Sequence, residues 1–259
     1  MVTSFLNNQI VFITGASSGI GRATAEAFAA QGAKLLLCAR RLERLRELEK
    51  HLKASNPSVQ IHIFSLDVRN RAAVHRAIEG LPAEWKHIDI LVNNAGLSRG
   101  LDKLQEGSLD DWDEMIDTDV KGLLYVTRDV VPGMIERGRG HIINIGSIAG
   151  HEVYPKGNVY CASKHAVDAI TKGLRLDLVD TPLRVTTIDP GLVETEFSEV
   201  RFHGDKDRAK QVYKGLEPLH AEDIAETIVW CANRPPHVQI GEVIIFPTSQ
   251  ASAVTVHRS

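Results

Sequence analysis

Tyr160 and Lys164 stand four residues apart in Tyr160-Cys161-Ala162-Ser163-Lys164, and Ser147 lies thirteen residues upstream. Four residues is about one helical turn, so a helix here places the phenol and the ammonium on one face. A buried cation beside a phenol favours the phenolate, and a group that ordinarily titrates near pH ~10 is then expected to exchange its proton much closer to neutrality. Tyr160 is thereby a candidate acid/base for an alcohol or a carbonyl. The same spacing also describes an ordinary amphipathic pair on a helix face, and only the rest of the chain separates the two readings.

The elements that must position such a pair begin near the N-terminus. The apolar run Ile10 to Ile13 leads into Thr14-Gly15-Ala16-Ser17-Ser18-Gly19-Ile20-Gly21 and then into a helix-like stretch, Ala23 to Ala30. Strand, glycine turn and helix in that order gather free backbone N–H groups and the positive helix end at one spot, which suits a pyrophosphate. Further strands are expected at Lys34 to Cys38, Gln60 to Ser65, Ile88 to Asn93, His141 to Ser147, Arg184 to Asp189 and Glu242 to Pro247. Most are short apolar runs without clean alternation, as in strands covered on both faces. Helical spacing fills the intervals, including Arg41 to Ala54, Asp111 to Arg137 and Asn158 to Val179. Right-handed crossovers between such strands give a doubly wound, seven-stranded parallel α/β sheet in a single domain over residues 1–259.

Composition bounds the rest. With 43% hydrophobic and 24% charged residues, 259 in all, the chain can bury one sizeable core. A formal net charge of -3 gives no electrostatic case for nucleic acid or an anionic membrane. Cys38, Cys161 and Cys231 are too scattered for a zinc cluster or a disulfide framework, so a reducing compartment, the cytoplasm, is expected. Cys161 adjoins Tyr160 but points about 100° away on a helix and reads as packing. No metal is called for.

The spacing Gly15-x-x-x-Gly19-x-Gly21, with Asn93-Asn94-Ala95-Gly96, Ser147, Tyr160-x-x-x-Lys164 and Pro190-Gly191, resembles the short-chain dehydrogenase/reductase family over essentially the whole chain. The resemblance implies a Rossmann fold and a nicotinamide cofactor. Ser147 would hydrogen-bond the substrate oxygen, Tyr160 would exchange its proton, and Lys164 would lower the tyrosine pKa and hold the nicotinamide ribose. The turn residues Gly15, Ser17, Ser18, Gly19, Ile20 and Gly21 would take the pyrophosphate side of the cofactor. Asp67 and Val68 would meet adenine, and Asn94, Ala95 and Gly96 the adenine ribose. Pro190, Gly191 and Val193 would line the nicotinamide end, where Thr195 holds the carboxamide.

Cofactor choice is read after the second strand, where Ala39-Arg40-Arg41 precedes the first acid, Glu43. An acid there suits the ribose 2′-hydroxyl of NAD, whereas arginine suits a 2′-phosphate. Two cations at a helix N-terminus oppose its dipole and call for a partner, although they could be ordinary first-turn charges. NADP is expected, with Arg40 and Ser17 the foremost phosphate contacts. One position departs from the family pattern: Asp119-Val120-Lys121-Gly122 stands where an asparagine is usual. An aspartate keeps acceptor oxygens, loses the amide donor, and carries a charge that favours the Lys164 ammonium and disfavours tyrosinate.

Gly146-Ser147-Ile148-Ala149-Gly150, Tyr154-Pro155, Arg175-Leu176-Asp177-Leu178 and Val193-Glu194-Thr195-Glu196-Phe197-Ser198 through Asp205 are similar to the branch of that family acting on 3-hydroxy acids, such as serine and L-allo-threonine, with malonic semialdehyde on the reductive side. A small hydroxy acid needs a cation for its carboxylate, and Arg201 is the first candidate, Lys156 the second. Either could instead be a solvated surface charge. Arg201 lies in the segment about 192–215, the family's mobile substrate-binding segment. Reduction of uncharged ketones and silent NADP binding are the rival readings. The family also implies a homotetramer built on the two long helices, where Val167, Ile170 and Leu174 would serve either the subunit contact or packing on the sheet.

Overall fold

The computed structural model describes residues 5–259. Strand β1 (Ile10–Thr14) is followed by helix α1 (Gly19–Ala30), β2 (Lys34–Ala39), α2 (Leu42–Ser55), β3 (Ile61–Ser65), α3 (Arg71–Glu79) and β4 (Ile90–Asn93). Then come α4 (Leu109–Met115), a π-helical segment Ile116–Gly122, α5 (Leu123–Arg137), β5 (His141–Ile145) and α6 (Asn158–Asp177). Strand β6 (Arg184–Pro190), α7 (Phe197–Arg201), α8 (Lys206–Gln211), α9 (Ala221–Ala232) and β7 (Glu242–Ile245) complete the chain.

All neighbouring strand pairs are parallel, in the order β3-β2-β1-β4-β5-β6-β7. The unbroken apolar runs have a simple origin: both faces of the sheet are covered, so both side-chain sets of a strand must be apolar. In β1, Val11 and Ile13 join a core with Phe28 of α1, Leu48 of α2 and Ile224 of α9. Ile10 and Phe12 point the other way, into a second core with Val74 of α3 and Val126, Val130 and Met134 of α5. The result is one domain of three layers.

Between β1 and β4 the strand order reverses, and such a switch point leaves a crevice beyond the carboxyl ends of the strands. The turn after β1 and the segment after β4 both open there.

One expectation needs correction. The helix expected over Asp111 to Arg137 is not continuous: the π-helical segment Ile116–Gly122 separates α4 from α5. A π turn inserts one residue into the helical repeat and rotates the downstream residues about the axis, here turning Asp119 to a buried position. The polar stretch after β6 is partly helical, forming α7 and α8. Two strands end earlier than the runs that announce them, β7 at Ile245 and β5 at Ile145, so Ser147 begins the next turn. On α6, Val167 is buried within the chain and Leu174 packs on the second core. No described helix is long and apolar enough to cross a membrane.

Candidate active site

The switch-point crevice is a cleft of about 540 Å³ whose walls include Gly15, Ser17, Arg41, Asn94, Ser147, Tyr160, Lys164, Thr195 and Arg201. Its floor is the glycine turn. Gly15 has φ +67, a left-handed conformation, and a Cβ at Gly21 would sit 2.6 Å from the Gly15 carbonyl oxygen. The turn can therefore close tightly only with glycine at both positions. Helix α1 starts at Gly19 with no side-chain cap from Ser18 and no acid in its first turn, leaving the positive helix end without an internal anion.

Thr14 ties this turn to β4. The backbone N–H groups of Asn94 (3.1 Å) and Ala95 (3.0 Å) donate to its Oγ1, while Asn94 Nδ2 donates to the carbonyls of Thr14 (2.9 Å) and Gly15 (3.2 Å). The Asn94 side chain is thus spent on the turn. Asn93 turns inward, donating to Thr127 and Asn144 at 2.9 Å.

Both arginines after β2 have carboxylate partners. Arg40 meets Glu114 at 3.3 Å, and Arg41 meets Glu196 at 3.3 Å. Protein carboxylates, and not only a ligand, therefore answer the cations at this helix end. Arg41, rather than Arg40, reaches the turn: its Nη2 donates to Ser18 Oγ (3.0 Å) and Ser17 Oγ (3.4 Å). One guanidinium and two hydroxyls converge beside the first turn of α1, a donor set that fits a phosphate. Asp67 is held by Arg69 at 2.6 Å, and that hydrogen bond keeps its carboxyl below the ordinary range. Val68, beside it, also lines the cleft.

At the other end, Tyr160 and Lys164 occupy one face of α6, both buried. Lys164 Nζ donates to the Ile145 carbonyl (3.0 Å) and stands 5.8 Å from the Tyr160 ring centroid. Ser147 is extended and begins a short turn, its Oγ accepting from the Ala149 N–H at 3.1 Å. The direction at Tyr160 is opposite to the expected shift toward neutrality. Burial pushes the phenol above its ordinary value; Arg201 is the foremost opposing cation, Asp119 adds to the rise, and a hydrogen bond with Ser147 opposes it.

Asp119 is drawn into this constellation by the π turn. Its Oδ1 accepts from the Leu97 N–H and its Oδ2 from Ser163 Oγ, both at 2.9 Å. Burial pushes its carboxyl up, while Lys164 and these donors oppose the rise. Gly96 lies against both groups: a Cβ there would be 3.3 Å from Asp119 Oδ1 and 3.5 Å from Lys164 Nζ.

Arg201 closes the cleft. Its guanidinium lies 5.3 Å from the Tyr160 ring centroid and 5.1 Å from that of Phe197, and it donates to Ser98 Oγ (3.0 Å) and Tyr154 Oη (3.1 Å). Lys156 is exposed and does not line the cleft. Segment 192–215 is docked through Gly100 N–H to the Arg201 carbonyl (2.9 Å) and Arg99 Nη1 to the Val200 carbonyl (2.6 Å). Thr195 packs beside Gly19, and its Oγ1 accepts from the Phe197 N–H at 3.2 Å. Pro190, Gly191 and Val193 line the same end.

Sequence reasoning missed Thr14, Ser98, Tyr154, Glu114 and Glu196. Thr14 ends a strand at the switch point, a place where polar residues merit attention. The two glutamates become partners only through long-range contacts that no local spacing announces.

The sequence profile of the family described as short chain dehydrogenase matches residues 9–206. The chain is 49% identical over 253 residues to the NADP-dependent 3-hydroxy acid dehydrogenase YdfG of Salmonella typhi, spanning 97% of this chain and 100% of that protein. It is 46% identical over 253 residues to sulfoacetaldehyde reductase 2 of Chromohalobacter salexigens, with 97% and 99% covered. Among solved structures, the closed form of serine dehydrogenase complexed with NADP+ superposes with a TM-score of 0.91 at 47% identity, covering 97% of this chain and 100% of that one.

Proposed function

The chain belongs to the short-chain dehydrogenase family, and from that premise we propose that it is an NADP-dependent oxidoreductase that interconverts a small 3-hydroxy acid, such as L-serine, L-allo-threonine or 3-hydroxypropionate, and the corresponding 3-oxo acid. The observation that carries the substrate class is Arg201: a guanidinium over the Tyr160 ring, inside the cleft, one group away from the proposed acid/base. A carboxylate one carbon from the reacting centre needs such a cation at such a place. Relatives named for a 3-hydroxy acid and for serine support the reading.

The cofactor's residues are those of the cleft. The glycine turn and the start of α1 would take the pyrophosphate, and Arg41 with Ser17 and Ser18 the 2′-phosphate. Arg40 would lend its charge from beside Glu114. Bound NADP supplies a hydride acceptor and, when reduced, a hydride donor. The protein positions the partner reaction at the oxygen. Ser147 Oγ donates a hydrogen bond to the substrate oxygen, and Tyr160 Oη takes the hydroxyl proton in oxidation and returns it in reduction. Lys164 supplies positive charge beneath the phenol. Asp119 fixes the Leu97 backbone and Ser163 next to this set, and its charge opposes tyrosinate. Burial of Tyr160 keeps water from competing for the proton.

A sulfonate would meet the same guanidinium, and the relative named sulfoacetaldehyde reductase gives that second reading its support. Three buried, free thiols suit a reducing compartment, and we place the protein in the cytoplasm as a homotetramer, with Leu176 and Val179 exposed at the end of α6. Arg201→Ala tests the anion site. KM for hydroxy acids should rise about tenfold or more, the worth of a charged hydrogen bond, while KM for a neutral secondary alcohol stays within about twofold. Equal changes for both would remove Arg201 from the carboxylate.

A further inference from the structure

Behind Ser147, among residues that do not line the cleft, lies a charged cluster that the proposed reaction does not use. Asp189, the residue before Pro190 at the end of β6, is 1% exposed. Its Oδ1 accepts from the Ser147 backbone N–H (3.1 Å) and from Thr187 Oγ1 (3.0 Å). A Cβ on Gly146 would collide with that same Oδ1, so the carboxylate reaches the serine only because a glycine precedes it. Its Oδ2 stands 3.5 Å from His151 Nε2, and both atoms are buried without a hydrogen-bond partner.

The far side of the imidazole is just as specific. His151 Nδ1 stands 3.8 Å from Glu242 Oε1 on β7, and Glu242 in turn faces Lys172 of α6 at 3.7 Å. Lys172 is paired with Asp168 at 2.7 Å. Each ring nitrogen therefore has its own carboxylate. One donor atom from each of His151, Asp189 and Glu242 lies within 4.8 Å of the others, yet the two carboxylates face different ring nitrogens, of which a metal ion could take only one. The ammonium of Lys172 beside Glu242 further opposes a cation there.

We propose that Asp189 and His151 form a positioning couple for Ser147, in which the carboxylate anchors the serine backbone and the histidine supplies the charge that keeps that carboxylate ionised. The couple touches neither substrate nor cofactor; it acts through Ser147, and so rests on the substrate-binding role proposed for that serine. Ser147 must present its Oγ to a substrate oxygen within a few tenths of an ångström, and the only side chain holding its N–H is Asp189 among the described residues. Burial pushes the Asp189 carboxyl up to about 6, with His151 the foremost opposing charge, the Thr187 hydrogen bond opposing as well and Glu242 adding to the rise. At a pH below that value the carboxyl gains a proton, its pair with His151 is lost, and its grip on the Ser147 N–H weakens.

The test compares kcat and KM across about pH 5 to 9 for wild type, Asp189→Asn and His151→Gln, using the full chain with NADP+ and L-serine. Asp189→Asn keeps an acceptor oxygen but cannot ionise. Its kcat should fall about tenfold at neutral pH, with KM for NADP+ unchanged, and the acid limb near pH 6 should disappear. His151→Gln removes the charge that holds the carboxyl down, so its acid limb should move to higher pH. A purely structural defect would lower the active fraction and leave the profile in place. An acid limb that stays in place in either variant overturns the proposal, as does a wild-type activity that chelators abolish and zinc restores. Failure of wild type to oxidise L-serine contradicts the substrate reading alone; the same comparison is then made with a neutral secondary alcohol, which needs the same Ser147.

Discussion

At the scale of single residues, the least ordinary feature is a carboxylate where the family usually has an amide. Asp119 keeps two hydrogen bonds, from the Leu97 N–H and from Ser163, and its charge raises the Tyr160 phenol. In the proposed oxidation Tyr160 acts as the base, so the rate should rise with pH through the tyrosine's ionisation. Asp119→Asn removes the negative charge, and the rising limb for alcohol oxidation should move to lower pH with little loss of fold; an unmoved limb in the kcat/KM profile would take Asp119 out of the electrostatics of the site. The trio Ser147, Tyr160 and Lys164 was legible because its spacings are local and its family pattern is joint. Arg201 was read as a candidate carboxylate partner, and its guanidinium faces Tyr160 and Phe197. Asp189 and His151 were not legible. They are 38 positions apart in sequence, and β6 and the turn after β5 bring them together only in the fold.

At the scale of elements, seven strands and most helices could be read from apolar runs and their periods, since a strand covered on both faces leaves a strong compositional mark. The π-helical segment could not, because nothing in a period of 3.6 distinguishes one inserted residue from continuous helix. That insertion separates α4 from α5 and buries Asp119 beside Lys164. The glycine turn depends on a second element as well. Thr14 Oγ1 receives two backbone N–H groups of the segment after β4; in Thr14→Val the Ala95 N–H loses its acceptor, while the Asn94 N–H keeps the Val92 carbonyl at 3.0 Å. One part-buried donor left unsatisfied should cost about 1–2 kcal/mol. The variant should therefore melt lower and bind NADP+ more weakly, as read by calorimetry and by titration; unchanged affinity would show that the clamp does not shape the turn.

For the whole molecule, three layers around a parallel sheet bury several ionisable groups, and one of them links stability to activity. The Asp189 carboxyl is pushed up to about 6 in the folded chain, against ~3.9 when unfolded. The folded state thus holds that proton more tightly, so the group favours folding below the unfolded value and loses that contribution as pH rises through the folded one. At pH about 7 to 8 the ionised side chain costs stability on the order of 1–3 kcal/mol. Asp189→Asn should therefore melt several degrees higher than wild type at neutral pH, an advantage that fades below about pH 4. A lower melting temperature at neutral pH would show that the carboxylate stabilises the fold. A stabilised but slower variant would place Asp189 among residues kept for function at the expense of stability.

The most direct test of the proposed activity is a set of initial rates of NADP+ reduction with L-serine, L-allo-threonine and 3-hydroxypropionate, beside isethionate and neutral secondary alcohols, each repeated with NAD+. The cleft geometry predicts kcat/KM at least about tenfold higher for a hydroxy acid than for any neutral alcohol, from the Arg201 charge, and a comparable preference for NADP+ over NAD+, from Arg41 with Ser17 and Ser18. Equal or better turnover of neutral alcohols, or indifference to the 2′-phosphate, would contradict it.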